Sequence, residues 1–461
     1  MTQRKQEGRT SHQVDMLHGS LLDKILLFAL PLAASSILQM LFNSADVAVV
    51  GLYAGSDAQA AVGSNSSLIN LFINLFTGLS IGANAVIANY IGQGAKDKIK
   101  KAVHTAIALA LVSGIFLMVF GNLLARQALV IMNTPDNVLG QAVLYLRIYF
   151  LGIPFVMIYN FGSAVLRSKG DSRRPLYSLI AAGIINVLLN LLLVIVFKLG
   201  VAGVAIATVT SNAISSGLVL FFLLTEEELF RLDIRNIRIA KEPLVKMIQI
   251  GLPAGVQGMV FSLSNVCIQS AINGFGSVAM AGSTDAWYFE CFAYFVVNAF
   301  AQTTVTFTSQ NYGAGDRERC RKIFRLCMTA SILFTGILST CFVLGRHIFI
   351  RVYTTDAQAI AFAMNRMMHV VLFEWMTSTY EVSGSALRGM GHSALPAGIT
   401  ILGTCAFRFL WVYTVFARYP DFGVLMSVYP VSWLLTGTIM LTAYGRVRIK
   451  MKNNERKRIK E

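Results

Sequence analysis

The chain has 461 residues, 55% hydrophobic and 13% charged, with a mean hydropathy of +0.61. An ordinary soluble domain carries about 25% charged residues, so the composition excludes a water-soluble globular protein, together with the disordered, collagen-like and disulfide-framework classes. The net charge of +16, from 39 basic and 23 acidic residues, says nothing about partners until the basic residues are placed along the chain.

A helix that crosses the hydrocarbon core needs about 20 mostly apolar residues. Uncharged runs of that kind extend from Ile25 to Ala45, Ala58 to Ala95, Ala102 to Ala125, Ile148 to Leu166, Pro175 to Phe197 and Leu199 to Thr225. A segment rich in Glu, Arg and Lys follows, Glu226 to Lys246. Six more runs come after it: Met247 to Thr284, Ala286 to Gly315, Leu326 to Gly345, Ala357 to Leu387, Gly389 to Ala417 and Phe422 to Gly445. The eighth is interrupted by Glu290, the tenth by Arg366, Glu374 and Glu381, and the eleventh by Arg408. The runs are continuously apolar and do not alternate, which excludes a transmembrane β-barrel. The expectation is an all-α integral membrane protein with twelve transmembrane helices. Residues 1–20 are polar and read as no secretory signal peptide, so the first helix is expected to remain in the mature chain.

Lys and Arg sort by loop. The two tails and the loops after even-numbered helices hold 31 of the 39, which places both termini and those loops in the cytoplasm of a bacterial cell membrane. The seven at odd-numbered loops and helix ends include Arg366. The basic tail Arg446 to Lys460 reads as a lipid-headgroup contact, with no nucleic-acid partner expected.

The halves repeat. Gly92 and Gly94 match Gly313 and Gly315, and Leu166, Arg167, Gly170 and Pro175 match Leu387, Arg388, Gly391 and Pro396, all 221 residues apart. Leu30-Pro31 matches Leu252-Pro253 with one residue more. Six crossings return the chain to its starting side, so the duplicated units are expected to be six-helix lobes related by a pseudo-two-fold axis along the membrane normal. The expected division is an N-lobe, 1–225, a cytoplasmic linker, 226–243, and a C-lobe, 244–461.

Ionisable residues inside spans are costly and mark pathways or relays. Gln39, Asn43 and Asp46 share a face of helix one, Asn186 and Asn190 project together from helix five, and Thr208 in helix six adds a hydroxyl. A carboxylate among amide and hydroxyl oxygens suits a small hard cation or a proton. The plainer alternative puts Asp46 at a solvated helix end with Asn43 as a local partner. In the second half Glu374, Glu381 and Arg388 are spaced by sevens, Glu290 adds an acid and Arg408 a base. Arg408 paired with Glu374 or Glu381 would staple helices together, and it would also suit a coupling role in which partners exchange.

The fragments "ALPLAASSILQMLFNSADVAVVG", "YIGQGAKDKIKKAV", "AVLRSKGDSRRPL" with its partner "SALRGMGHSALP", and "GLPAGVQGMVFSLSN" with "QNYGAGDRER" resemble the multidrug and toxic compound extrusion (MATE) transporters. The resemblance runs from about Leu22 to Tyr444. It implies a cation-coupled antiporter, driven by H⁺ or Na⁺, that exports amphipathic and often cationic compounds by rocker-switch alternation of two lobes. In members with an N-lobe cation site, the helix-one Asp, helix-five Asn and helix-six Thr match Asp46, Asn186 and Thr208. Some members carry a second Asp where this chain has Asn190. The NorM-type acids of helices seven and ten are Phe261 and Thr377 here, so the chain looks closer to the DinF-like branch, with Glu290 and Glu381 as its own second-half acids.

The alternative within the same superfamily is a flippase for lipids or lipid-linked oligosaccharides. An integral-membrane enzyme is not expected: no nucleophile–base pair or metal cluster stands near one interface, and no Walker-A pattern binds ATP. Six cysteines, all in the second half, show no C-x-x-C spacing, so no metal site is expected beyond a Na⁺ at Asp46. No cofactor is expected, and a monomer in the bilayer is.

Overall fold

The computed structural model describes residues 13–132 and 134–460; side chains at 56, 57, 64, 66, 67 and 454–460 lie outside the described set, as do the basic residues Arg4, Lys5 and Arg9 of the N-terminal tail. Among the described residues there is no strand. The first six long helices are α1 (Leu22–Tyr53), α2 (Ser56–Gly92), α3 (Lys96–Ile131), α4 (Asp136–Ser168), α5 (Arg173–Val196) and α6 (Gly200–Leu224). The second six are α7 (Lys241–Asn273), α8 (Ser277–Gly313), α9 (Arg317–Leu344), α10 (Ala357–His369, continued by Thr377–Gly389), α11 (Ala394–Phe416) and α12 (Phe422–Asn453 and onward).

Ten of these are long and apolar enough to cross a membrane by length and composition alone. The two exceptions have physical reasons. α8 carries Asp285 and Glu290 and ends in the polar run 302–311, and α10 carries Arg366, Glu374 and Glu381 and is broken by the 3₁₀ segment Val371–Met376. Counting them gives the twelve expected helices.

Two compact units form: Met1–Gly255 with Gly313–Gly315, and Val256–Tyr312 with Asp316–Glu461. In the first, α3 presents the buried small residues Ala102, Ala106, Ala110 and Gly114 at four-residue spacing. Small side chains let membrane helices approach closely. A Cβ at Gly114 would meet the Pro154 Cα of α4 at 2.7 Å. The opposite face of α3 exposes Val112, Ile115, Phe116, Val119 and Leu123, an apolar surface suited to lipid rather than water. In the second unit, Ile268, Tyr380, Leu387, Leu425, Trp433 and Met440 form a buried core.

The duplicated glycines have a shared cause. Gly94 and Gly315 adopt φ of 66° and 82°, and Gly170 and Gly391 adopt 105° and 89°, left-handed conformations that a Cβ disfavours. They turn the chain after α2, α8, α4 and α10.

The α4–α5 turn carries a charged knot that the second half lacks. Buried Lys169 and partly covered Arg174 both pair with Glu226, just past α6, and Arg174 also pairs with Asp171. The Val14 backbone N–H donates to the Gly170 carbonyl at 3.1 Å, which ties the start of the chain to the same turn. The matching second-half positions of Lys169, Asp171 and Arg174 are Met390, His392 and Leu395, so the repeat preserves the backbone turn and not its charges. The segment after α6 is then fastened to α3: the Asp233 N–H donates to His104 Nε2 at 3.1 Å and the Ala240 N–H to Thr105 Oγ1 at 3.1 Å.

Burial alone would raise the Glu226 carboxyl, but its bonds to Lys169 and Arg174 outweigh that and hold it below its ordinary 4.5. A lowered folded-state value contributes stability above the unfolded value and loses it as pH falls through the folded one. Thermal unfolding of purified protein between pH 7 and pH 3 is therefore expected to show stability falling below pH 4.5, with Glu226→Gln flattening part of that slope. An unchanged slope in the Gln variant would contradict the assignment.

Candidate functional site

α1, α5 and α6 converge on Asp46. Close approach is built into the sequence: a Cβ at Gly183 of α5 would lie 1.8 Å from Phe42 Cε2 of α1, so only glycine admits the ring at this crossing. One turn on from each of these residues the polar groups meet. Asp46 is 6% exposed, and Asn186 and Asn190 are buried with it. The Asn190 amide nitrogen donates to Asp46 Oδ1 and to Asn186 Oδ1, the latter at 3.3 Å. Asn186 also hydrogen-bonds the carboxylate. The Thr208 hydroxyl lies 3.1 Å from Asp46 Oδ2 and 2.9 Å from the Val204 carbonyl.

That hydroxyl has one proton and two acceptors. With Asp46 ionised it donates to the carboxylate; with Asp46 protonated the carboxyl can donate to Thr208 and the threonine proton turns to Val204. Asn190 Oδ1 is buried without a hydrogen-bond partner. Among the described residues no cation pairs with Asp46, although a buried carboxylate without one is costly. The pocket thus offers a carboxylate, a free amide oxygen and a hydroxyl oxygen, a donor set of hard character with a single negative charge. No cluster of three or more His, Cys, Asp or Glu side chains suited to a metal occurs among the described residues.

Asn43 does not join this pocket. It is exposed, and Asp46 takes its bonds from α5 and α6 instead. Two residues that sequence reasoning passed over stand nearby: Tyr145 and Tyr149 of α4 stack at 6.1 Å, and both feel the Asp46 charge. Aromatic pairs four residues apart recur throughout membrane helices, so nothing in the pattern singled these out.

The second-half charges assemble differently from the expectation. Arg366, counted above among helix ends, is 3% exposed. Its guanidinium donates to Glu290 Oε2 at 2.8 and 3.1 Å and to the Ser283 hydroxyl at 2.7 Å, bridging α10 to α8. Arg408 is paired with neither Glu374 nor Glu381. It donates to Asn265 Oδ1 at 2.7 Å and lies over the rings of Tyr429, at 4.5 Å, and Phe261, at 5.0 Å. Glu374 is buried, with Oε2 lacking a hydrogen-bond partner, and is influenced by Glu290, Arg408 and Arg366. Glu381 accepts from the Tyr294 hydroxyl and faces Arg388, which donates to Gln257 Oε1 at 2.6 Å. The stripe Glu374–Glu381–Arg388 is not continuous, because the 3₁₀ turns through Met376 advance three residues per turn and rotate Glu374 away from the α-helical face.

Comparison with known proteins shows the family of the chain. The family model MatE matches residues 31–192 and again 253–414, beginning at Pro31 and Pro253 of the two halves. The chain is 28% identical over 394 residues to the probable multidrug resistance protein YoeA of Bacillus subtilis, covering 81% of this chain and 82% of that one. It is 25% identical over 406 residues to the probable multidrug resistance protein NorM of Thermotoga maritima, with 87% of each covered. Among solved structures, an outward-facing multidrug resistance MATE transporter superposes with a TM-score of 0.90 at 19% identity, covering 97% of this chain and 100% of that one. A Pyrococcus furiosus transporter of the MOP superfamily, described by a reversed polarity of its binding pocket, gives 0.88 at 20% identity, with 96% and 100% covered. At such identities these structures speak for the fold. With the double match over both halves and the twelve-helix architecture, the chain belongs to the MATE family of multi-pass membrane transporters.

Proposed function

We propose that the protein exports amphipathic, often cationic compounds by antiport against H⁺ or Na⁺, with the Asp46 pocket as the coupling site. The observation that carries this is a buried carboxylate with hydrogen bonds from three neutral side chains, no counter-cation, and an unpartnered amide oxygen beside it. Such a group is at its lowest energy when a proton or a small cation joins it. The names of the similar proteins, as multidrug resistance and export proteins, support the substrate class. In the proposed cycle the lobes, 1–225 and 244–461 about the linker 226–243, rock between inward and outward openings. The cation or proton enters at Asp46 from outside as substrate leaves. We place the protein in a bacterial cytoplasmic membrane as a monomer with both termini inside. Of the second-half groups, Glu374 and Glu381 supply negative charge suited to a cationic substrate, while Glu290 is neutralised by Arg366.

The test is ethidium transport in proteoliposomes under an imposed Na⁺ or H⁺ gradient. One gradient is expected to drive accumulation against the dye's own gradient. If neither does, the antiport reading fails, and movement of labelled lipid between leaflets under the same conditions would favour the flippase alternative.

A further inference from the structure

The internal repeat permits a comparison of the Asp46 pocket with its own duplicate. Pro175 of α5 and Pro396 of α11 correspond at a spacing of 221 residues. α11 then contains a π segment, Ile401–Ala406, where α5 is still α-helical. A π-turn accommodates one extra residue. Beyond it the spacing is taken to grow by one, which agrees with the ends of the two family matches at residues 192 and 414. α5 then passes into its own π segment, Leu191–Val196, and α11 into a second one, Val412–Phe416. In this register Gly183 corresponds to Cys405, Asn186 to Arg408, and, from the Pro31 and Pro253 anchors, Phe42 to Ser264, Asn43 to Asn265 and Asp46 to Ile268.

Contacts support the register independently. Phe42 packs on Gly183, and their counterparts Ser264 and Cys405 are hydrogen-bonded. α1 meets α5 through Asp46 and Asn186, and α7 meets α11 through Asn265 and Arg408, with Arg408 at the position of Asn186 and Asn265 one helix turn before the position of Asp46. At the second crossing the carboxylate has become the aliphatic Ile268, 0% exposed, and the neutral amide has become a guanidinium.

We propose that Arg408 is a tethered cation occupying the second-half counterpart of the Asp46 pocket. In the first half the charge of the site belongs to the protein and the cation is exchanged. In the second the cation belongs to the protein and is held by the Asn265 amide oxygen and the faces of Tyr429 and Phe261, a cage of the kind that recognises organic cations. Arg408 is 1% exposed, so the cage is filled by the chain itself. The second-half crossing is thereby closed to an exchangeable cation, and of the two duplicated crossings only the one at Asp46 is left to exchange an ion. That last step rests on the coupling role of Asp46; the filled cage does not.

The test is chemical rescue. Arg408→Ala vacates a cage shaped for a planar cation. Millimolar methylguanidinium is expected to raise the melting temperature of the purified variant by about 2 °C and leave wild type unchanged. N-methylurea, the uncharged analogue of similar shape, is expected to leave both proteins unchanged. Equal effects of the two compounds, or none from either, would overturn the proposal. Should Arg408→Ala not fold, substitution at Ile268 carries the test in an otherwise intact chain. Ile268→Asp restores the missing acid one helix turn from Asn265, the partner of the tethered cation, and is expected to retain most of the folded yield, while Ile268→Lys loses it at least about tenfold. Equal tolerance of the two signs would overturn the proposal. Both readouts are of binding and folding, so they stand apart from transport: an Asp46→Asn protein that still follows an ion gradient would refute the coupling site and leave the Arg408 result readable.

Discussion

Asp46→Asn is expected to abolish gradient-driven efflux while leaving the folded protein intact or more stable. The substitution keeps the size of the side chain and an oxygen for Asn190 and Thr208, and it removes the charge. A buried carboxylate with no counter-cation carries a desolvation penalty of several kcal/mol, and the neutral amide does not. Coupling and stability should therefore move in opposite directions. In ion-free buffer the variant is expected to melt at or above the wild-type temperature. On addition of the coupling ion only the wild type should gain, by about 2.7 kcal/mol at a hundredfold excess over the dissociation constant. Efflux from proteoliposomes and thermal unfolding of the same preparations check both halves of the statement. If Asp46→Asn protein still concentrates ethidium against its gradient, Asp46 is not the coupling residue.

Arg366→Met is expected to be the most damaging single change in the second unit. It leaves Glu290, partly buried with its side chain 15% exposed, with its charge unmatched; breaking a buried ion pair from one side costs about 3–5 kcal/mol, and the partial exposure of Glu290 puts the expected loss at the lower end of that range. Replacing both partners, Arg366→Met with Glu290→Met, removes the orphan along with the pair and is expected to recover most of that loss. The double-mutant cycle by thermal or denaturant unfolding in detergent measures the coupling directly. Single and double variants that lose the same stability would mean that the pair is not the stapling element between α8 and α10.

The parts of the structure legible in the sequence are those set by a single helix or by simple repetition. Twelve apolar runs became twelve helices because the bilayer demands continuous helical hydrogen bonding, whatever the neighbours do. The glycine pairs were visible because a left-handed turn admits few residues. Asp46, Asn186, Asn190 and Thr208 were legible because each is a polar group in an apolar run, and the structure brings all four together. Asn43 shows the limit of face arithmetic. It lies on the same stripe of α1 as Asp46, but α5 and α6 reach only the Asp46 end.

The second unit was less readable because its helices are not regular. The 3₁₀ segment in α10 defeats counting by sevens, and the π segment in α11 shifts the register by one residue. Arg366 was misplaced for a related reason. A charge within an interrupted apolar run looks like a boundary, whereas Glu290, which neutralises it, lies 76 residues earlier in the chain. Pairing across such a separation leaves no local trace.

The salted knot at the α4–α5 turn has a consequence for the order in which the molecule is made. Lys169, Asp171, Arg174 and Glu226, with Val14 clasped to Gly170, all belong to the first 226 residues. Every partner has left the ribosome before α7 begins to emerge. The first six helices can be drawn closed at one end while the second six are still unsynthesised, and the later half, whose matching positions lack these charges, must hold its own turn without them.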